Sequence, residues 1–274
     1  MLSNKKGHTI QERFIDVLSD PCNMLIPRVK SAGTVEDNMI ILHNGIKVNI
    51  DCWKDMKEIF LINGGVHEPA EEYLFSIVLN YIKDGGTMIE LGSNWAFYSI
   101  WFATKIKNSK NYCIEPDNQL LECGIQNCKY NNVFADFTCG FVGQNDNDNN
   151  LCKNEINLYN FIKNKNIDYI DMLHSDIQGS EYSMLLEISE LLDHKKIGFL
   201  FISTHSDEIH YKCIEFLETH DYRIIASSDV DTETFCYDGI IVACPKADMR
   251  ITSKNLSVRQ TTQLRSTPFP FYYY

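Results

Sequence analysis

From Glu68 onward the chain alternates apolar runs of strand length with amphipathic runs of helix length, and that alternation most restricts its fold. Strand-like runs lie at Thr87–Leu91, Asn111–Ile114, Val133–Cys139, Ile167–Leu173 and Ile197–Ser203, separated by helical patterns at Trp95–Ile106, Gln119–Tyr130, Leu158–Lys165 and Glu181–Leu192. Strands that are apolar throughout need cover on both faces, which a parallel sheet between two helix layers provides. After the Glu208–Glu218 helix come two more runs, Tyr222–Ala226 and Thr234–Val242, joined by a short polar turn at Ser227–Asp231. That turn has no room for a crossover helix, so these two strands must pair antiparallel. The expectation is an α/β fold: a seven-stranded, mostly parallel, Rossmann-like sheet with helices on both faces.

The first part of the chain reads differently. Gln11–Leu18 suits a short helix, and Met39–Leu42 and Ile46–Ile50 flank His43-Asn44-Gly45, a hairpin signal. Residues 1–66 are therefore expected to form a small appendage or cap, 67–245 the main domain and 246–274 a tail with an aromatic end. Pro69 suits a first helical turn, and Asp84-Gly85-Gly86 is expected to end that helix. Gly143–Asn154 reads as a polar loop. A formal net charge of −12 argues against nucleic acid or an anionic membrane as the main partner and leaves a small molecule or a neutral glycan. The ten cysteines form no C-x-x-C pair, and several sit in apolar runs. They read as reduced thiols, with neither a disulfide framework nor a zinc site, and no metal is expected. No leader opens the chain and no apolar run is long enough to span a bilayer, so a cytoplasmic protein is expected. The hairpin and the tail are the expected lids or surfaces of a homodimer.

The chemistry gathers where the apolar runs end. Thr87-Met88-Ile89 leads into Glu90-Leu91-Gly92-Ser93-Asn94 and directly into a helical run. Such a turn brings backbone N–H groups and a helix N-terminus to the carboxyl edge of a parallel sheet, where small ligands bind. The acid precedes the glycine and no Gly-x-x-Gly extension follows, which favours a cationic ligand over a pyrophosphate. Glu90 can orient an ammonium or balance a sulfonium, and Gly92 permits close backbone approach. Ser93 or Asn94 can equally cap the next helix. Glu115, closing Tyr112-Cys113-Ile114-Glu115-Pro116, can accept both ribose hydroxyls of a nucleoside, or is an exposed acid before a proline turn. Asp176 can hold an amino end, position a hydroxyl, act as its base, or cap the helix containing Glu181. His205, in Thr204-His205-Ser206, can deprotonate an alcohol near neutral pH or be merely structural; His174 reads equally as a core histidine. Gly140-Phe141-Val142 suits an adenine slot or core packing. Tyr98 is placed at the cleft, Trp95 and Phe97 in the core.

Taken in order, these motifs resemble those of the FkbM-type S-adenosylmethionine-dependent methyltransferases. The resemblance is carried by the run from Ile89 to Ser99, by Ile114-Glu115-Pro116-Asp117 with Asn127 and Asn131, and by the run from Ile170 to Glu181. It implies the class I methyltransferase sheet, S-adenosyl-L-methionine as cofactor, and methyl transfer to a hydroxyl of a sugar, glycan or small metabolite. On that assignment Glu90, Gly92 and Asn94 serve the methionine end, with Ser93 and Tyr98 in the same cofactor-binding set. Glu115 takes the ribose, and Gly140 and Phe141 the adenine. Asp176 contacts cofactor and, with His205, positions or deprotonates the acceptor. The chain departs from the family pattern at Ala96, where glycine is expected, and at Gln178, where an acid is usual. It departs again at His174 in place of a lysine-like residue, and at Ser203 or Thr204 in place of a glutamate. Two other readings remain: an NAD-dependent oxidoreductase, and a non-catalytic methyltransferase-fold binding module.

Overall fold

The computed structural model describes residues 10–52, 57–143, 151–236 and 238–256. In chain order the elements are α1 (Ile10–Ser19), a 3-10 turn (Pro21–Leu25), β1 (Val35–Glu36), β2 (Met39–Ile41), β3 (Lys47–Asn49), α2 (Lys57–Ile62) and α3 (Pro69–Leu79). There follow β4 (Thr87–Leu91), α4 (Phe97–Lys105), β5 (Lys110–Glu115), α5 (Asn118–Tyr130), β6 (Asp136–Cys139), α6 (Leu158–Asn164) and β7 (Ile170–Ser175). The chain continues through α7 (Glu181–Glu187), α8 (Ser189–Asp193), β8 (Ile197–Thr204), α9 (Asp207–Thr219), β9 (Tyr222–Ser228) and β10 (Gly239–Pro245).

Strands β4 to β10 form one seven-stranded sheet in the order β6-β5-β4-β7-β8-β10-β9. Neighbours from β6 to β8 are parallel, and β10 runs antiparallel to both β8 and β9. This is the Rossmann-like class I methyltransferase topology expected from the sequence. Period-two alternation sorts the strand residues onto two faces. Met88, Cys113, Met172, Phe199, Phe201 and Val242 pack under α3, α4 and α5. Ile89, Leu91, Ile114, Leu173, Leu200 and Ile241 pack under α6 to α9. Glu90 and His174 share the Met88 face, so their side chains enter the α3–α4 layer.

The Asn44-Gly45 hairpin is present, extended to three strands by β1. Its Ile40, Leu42, Ile46 and Val48 join the same apolar cluster as Trp95, Phe97 and Trp101 of the main sheet. Two asparagines of the family-like pattern lock it there. Asn131 on α5 exchanges hydrogen bonds with the backbone of Lys47 (2.9 and 2.7 Å), as a strand neighbour would. Asn127, fully buried, accepts from the Asn49 N–H and donates to the Trp95 carbonyl.

Several boundaries move. The helix expected to run to Asp84-Gly85-Gly86 stops at Leu79, where the Asn80 amide turns back onto the Ser76 carbonyl. The third long strand begins at Asp136, because Asn132 adopts a left-handed conformation (φ 54°) and Val133 N–H closes the α5 terminus on Cys128. The Glu181–Leu192 helix breaks at Ile188 into α7 and α8. The last strand begins at Gly239, since Asp229 folds the preceding residues onto its carboxylate through Thr232 and Glu233 N–H. Of the Gly143–Asn154 loop, residues 144–150 lie outside the described residues; Leu151 bridges back to Asp117. The tail is described to residue 256 and packs on β9 through Lys254 N–H to the Ile225 carbonyl; its aromatic end lies outside the described residues. Among the described residues no helix is long and apolar enough to cross a membrane.

Candidate active site

Two adjoining hollows open at the carboxyl edge of β4, β5 and β7. The larger, with about 840 Å³ of space counted out to open solvent, lies between Glu115, Leu120, Gly140, Phe141, Leu151 and Ile177. The smaller, about 380 Å³, lies between Glu68, Glu90, Trp95, Tyr98, His174 and Ser203. Gly92, Asn94 and Asp176 border both. The structure thus brings Glu90, Gly92, Asn94, Glu115, Gly140, Phe141 and Asp176 around one cleft, with Ser93 and Tyr98 on the smaller side and His205 behind Asp176.

Gly92 has φ 68°, and a Cβ there would lie 1.9 Å from the Asp176 carbonyl. The close approach that demands glycine is therefore between two loops of the protein itself. Leu91 O accepts from Asp176 N–H (2.9 Å), and Ile114 O accepts from Gly92 and Ser93 N–H. These bonds fix the three strand ends against one another. Neither Ser93 nor Asn94 is the cap of the next helix. Ala96 holds that position with φ 63° and no capping side chain, and the buried Glu90 carboxylate accepts the Ser99 N–H instead (2.9 Å). The positive end of α4 is thereby already complemented by an acid. Burial raises the Glu90 pKa, against the pull of His174 and the helix N–H groups.

On the nucleoside-sized side, Glu115 is buried and its two oxygens accept separate backbone N–H groups, Asn94 at 2.7 Å and Asp117 at 2.9 Å. It is not the exposed acid of a proline turn. Each oxygen keeps a second acceptor direction, the geometry that suits a pair of vicinal hydroxyls. Burial lifts its pKa to about 7, opposed by those two N–H groups. Gly140 leaves room for Ile156 and the Asn154 carbonyl, since a Cβ would lie 2.5 Å from Ile156 Cδ1. That lets half-buried Phe141 present its ring to the hollow alongside Leu120 and Ile177.

The smaller side is lined by acids and histidines. Tyr98 donates to Glu68 (2.7 Å) and lies 4.3 Å from the His174 ring. His174 is a buried histidine: its Nε2 meets Glu71 at 2.5 Å, Glu71 also accepts from Ser203, and the His174 Nδ1 makes no hydrogen bond among the described residues. Burial opposes its charge, but Glu71 and Glu90 push its pKa up to about 9. Glu68 is pushed up to about 8, chiefly by burial. Behind them, buried Glu72 accepts the N–H groups of His67 and Glu68 and pairs with His67 Nδ1 (2.8 Å) and His43 Nε2 (3.0 Å). Sequence reasoning missed Glu68, Glu71 and Glu72. Acids in a first helical turn are expected on dipole grounds alone, so only their placement beside Pro69 and apolar neighbours hinted at burial.

Asp176 follows β7 and does not cap α7, whose N-cap is Ser180. Its Oδ1 lies 3.1 Å from His205 Nε2 and accepts from Gln178 (3.2 Å). His205 meets Glu181 through Nδ1 (2.7 Å), and Asp238 stands 3.6 Å from its Nε2. Burial opposes charge on this imidazole, yet Asp176, Glu181 and Asp238 push its pKa up to about 10. Burial also works against Asp176, but His205 and His174 hold it below the ordinary carboxylate range. His205 at neutral pH is thus a cation clasped by acids rather than a free base. Asp238 and Glu181 were not singled out in the sequence.

No protein-family model and no curated protein sequence matches the chain. Solved structures similar in fold include a precorrin-6y C5,15-methyltransferase from Geobacter metallireducens (20% identity, 64% of this chain and 89% of that one, TM-score 0.44). Others are the Aeropyrum pernix fibrillarin with natively bound S-adenosyl-L-methionine (12%, 59% and 67%, TM-score 0.42) and M. capricolum TrmK with S-adenosyl-homocysteine (18%, 67% and 69%, TM-score 0.40). Likeness at this level concerns the arrangement of strands and helices and says nothing of the acceptor.

Proposed function

We propose that this chain is an S-adenosylmethionine-dependent methyltransferase acting on a hydroxyl of a small acceptor such as a sugar, glycan or other metabolite. The observation that carries the reading is the Glu90 carboxylate on the Ser99 N–H. It fills the helix terminus where a dinucleotide would seat its pyrophosphate, so an NAD-dependent oxidoreductase is disfavoured. The same acid, beside Asp176, whose carboxyl is held below the ordinary range, makes the smaller hollow suited to an ammonium and a sulfonium. The order of motifs shared with the FkbM-type enzymes supports the same assignment.

In this reading Glu115 accepts the ribose hydroxyls, Phe141 and Gly140 flank the adenine, and Glu90, Asn94 and Tyr98 surround the methionine end. Gly92 and Ser93 supply the turn that brings them together. The sulfonium is already a good leaving group, so the protein must chiefly align oxygen, methyl and sulfur and stabilise the acceptor as it loses its proton. Asp176, bordering both hollows and paired with His205, is placed to orient that hydroxyl.

Calorimetry tests the cofactor. S-adenosylhomocysteine should bind and NADH should not; the reverse would overturn the reading. If neither bound, the non-catalytic alternative would take its place. A screen of glycans and hydroxylated metabolites with isotopically labelled S-adenosylmethionine, read by mass spectrometry, then identifies the acceptor.

A further inference from the structure

Asp176, His205 and Asp238 come from three neighbouring strand ends. Asp176 follows β7, His205 follows β8, and Asp238 precedes β10, whose Gly239 is paired with Thr204. One carboxylate oxygen of Asp176, one of Asp238 and a ring nitrogen of His205 all lie within 4.8 Å of one another. Ligands at right angles on a cation, with bonds of roughly 2.0–2.2 Å, sit about 3 Å apart. The 3.1 and 3.6 Å separations of Nε2 from the two oxygens need little adjustment to meet that geometry.

Two further features point the same way. The His205 side chain is only 8% exposed, and its Nε2 makes no directed hydrogen bond although two carboxylate oxygens lie close by. Its other nitrogen is held at 2.7 Å by Glu181, a fully buried carboxylate that also accepts the Gly179 N–H. A carboxylate on Nδ1 fixes the Nδ1–H tautomer and aims the Nε2 lone pair at a metal, the usual support of a ligating histidine. Two carboxylates and one imidazole suit a divalent transition ion and leave coordination positions for water or substrate oxygens.

We propose that Asp176, His205 and Asp238 bind a divalent transition-metal ion at the acceptor side of the cleft. The ion replaces the proton shared among these groups, because the ligating imidazole must be neutral. The site itself stands on the geometry of these three side chains; the role given to the ion rests on the methyltransferase reading. In that role the acceptor hydroxyl coordinates the ion and its proton leaves to solvent. The oxygen lone pair then forms the O–CH3 bond as the methyl–sulfur bond breaks, so that an alcohol and S-adenosylmethionine give a methyl ether, S-adenosylhomocysteine and a proton.

The test is Mn2+ binding to chelator-stripped full-length protein, followed by electron paramagnetic resonance and calorimetry, with Zn2+ as a second probe and S-adenosylhomocysteine binding measured in parallel. One Mn2+ or Zn2+ per chain is expected, weakened at least tenfold in His205→Gln and in Asp238→Asn. Asp238→Asn is the milder change, its side chain being more exposed than that of His205, and its thermal unfolding reports whether the fold survives. No binding of either ion to wild type, or unchanged affinity in both folded variants, overturns the site. Metal binding without S-adenosylhomocysteine binding upholds the site and removes its role in methyl transfer. S-adenosylhomocysteine binding without metal binding leaves the methyltransferase reading standing and removes this proposal alone.

Discussion

The two halves of the cleft are built by different means. On the nucleoside-sized side, Glu115 is fixed by backbone N–H groups, one of them two residues further along its own chain. Gly140 and Phe141 follow directly from the end of β6. On the smaller side Glu90 is held by a backbone N–H, but most of the wall is side chains paired across distant segments: Tyr98 with Glu68, and His174 and Ser203 with Glu71, backed by Glu72 with His43 and His67. The first kind of wall follows once the strand order is set. The second exists only when the N-terminal hairpin, α3 and the sheet have all docked, and it places ionised groups out of water, where losing one partner costs far more than at the surface. The smaller side should therefore be the more fragile.

The largest effect is expected at Glu72. Replacing it with alanine removes the acceptor of two backbone N–H groups and strands His43 and His67 in the interior, at roughly 3–5 kcal/mol of stability. Denaturant unfolding measures this; a loss below about 1 kcal/mol would mean that the network contributes little to the fold. Its pH dependence follows from two opposite shifts. Glu72 is held below its ordinary value of 4.5: burial opposes this, and His67 and His43 outweigh it. Its contribution is therefore present above that value and lost as pH falls through the native pKa. His67 is raised above 6.5: burial opposes its charge, and Glu72 outweighs it. Its contribution is full below 6.5 and declines as pH rises through the native pKa. Wild-type stability should thus be greatest between about 4.5 and 6.5 as far as this pair decides it, and Glu72→Ala should flatten that maximum.

The same contrast explains what could be read from the sequence. The sheet, its antiparallel closing pair and the run Glu90, Glu115, Asp176 at successive strand ends all follow from periodicity and local turn chemistry. Gly92 is legible as a glycine-requiring turn, though its partner, the Asp176 carbonyl, lies at the end of the neighbouring strand β7. What stayed hidden depends on contacts distant in sequence. His174 meets Glu71, 103 residues away, and Ser203 meets the same carboxylate from 132 residues away. His205 reads from sequence as either a base or a structural residue, because nothing adjacent in sequence announces Glu181 or Asp238 as its partners.

A smaller effect is expected on the nucleoside side. Glu115→Gln keeps an acceptor for a backbone N–H but removes the charge. S-adenosylhomocysteine affinity should fall by about 1–3 kcal/mol, and stability by about 1–3 kcal/mol, because the amide NH2 faces one of the two N–H groups that the carboxylate accepts. Unaltered affinity would remove Glu115 from the ribose. Because the native carboxyl is lifted to about 7, the unliganded protein holds its proton where the unfolded chain has released it. Its contribution to stability therefore declines as pH rises from 4.5 to about 7. Ribose hydroxyls donate to the ionised form, so cofactor binding should tighten from pH 6 to pH 8 and lose this dependence in Glu115→Gln. A binding curve flat in pH for wild type would show that Glu115 does not titrate against the ligand.

The smallest effect is expected at Ala96, two residues beyond Asn94, where the two halves meet. A left-handed φ of 63° costs an alanine about 1–2 kcal/mol that glycine would not incur. Against that, the residue is fully buried, and burying a methyl group stabilises by about 0.8 kcal/mol. Glycine would also lose more backbone freedom on folding, by roughly 0.5–1 kcal/mol. The neighbouring helix has already made room: a Cβ on Gly124 would lie 3.2 Å from the Ala96 methyl, so the two positions share one space. These terms nearly cancel, and Ala96→Gly should change stability by less than about 1 kcal/mol and S-adenosylhomocysteine affinity by less than about threefold. A tenfold gain in affinity would mean that the alanine holds the turn away from its binding geometry, and that this turn, rather than the buried ion pairs, limits binding.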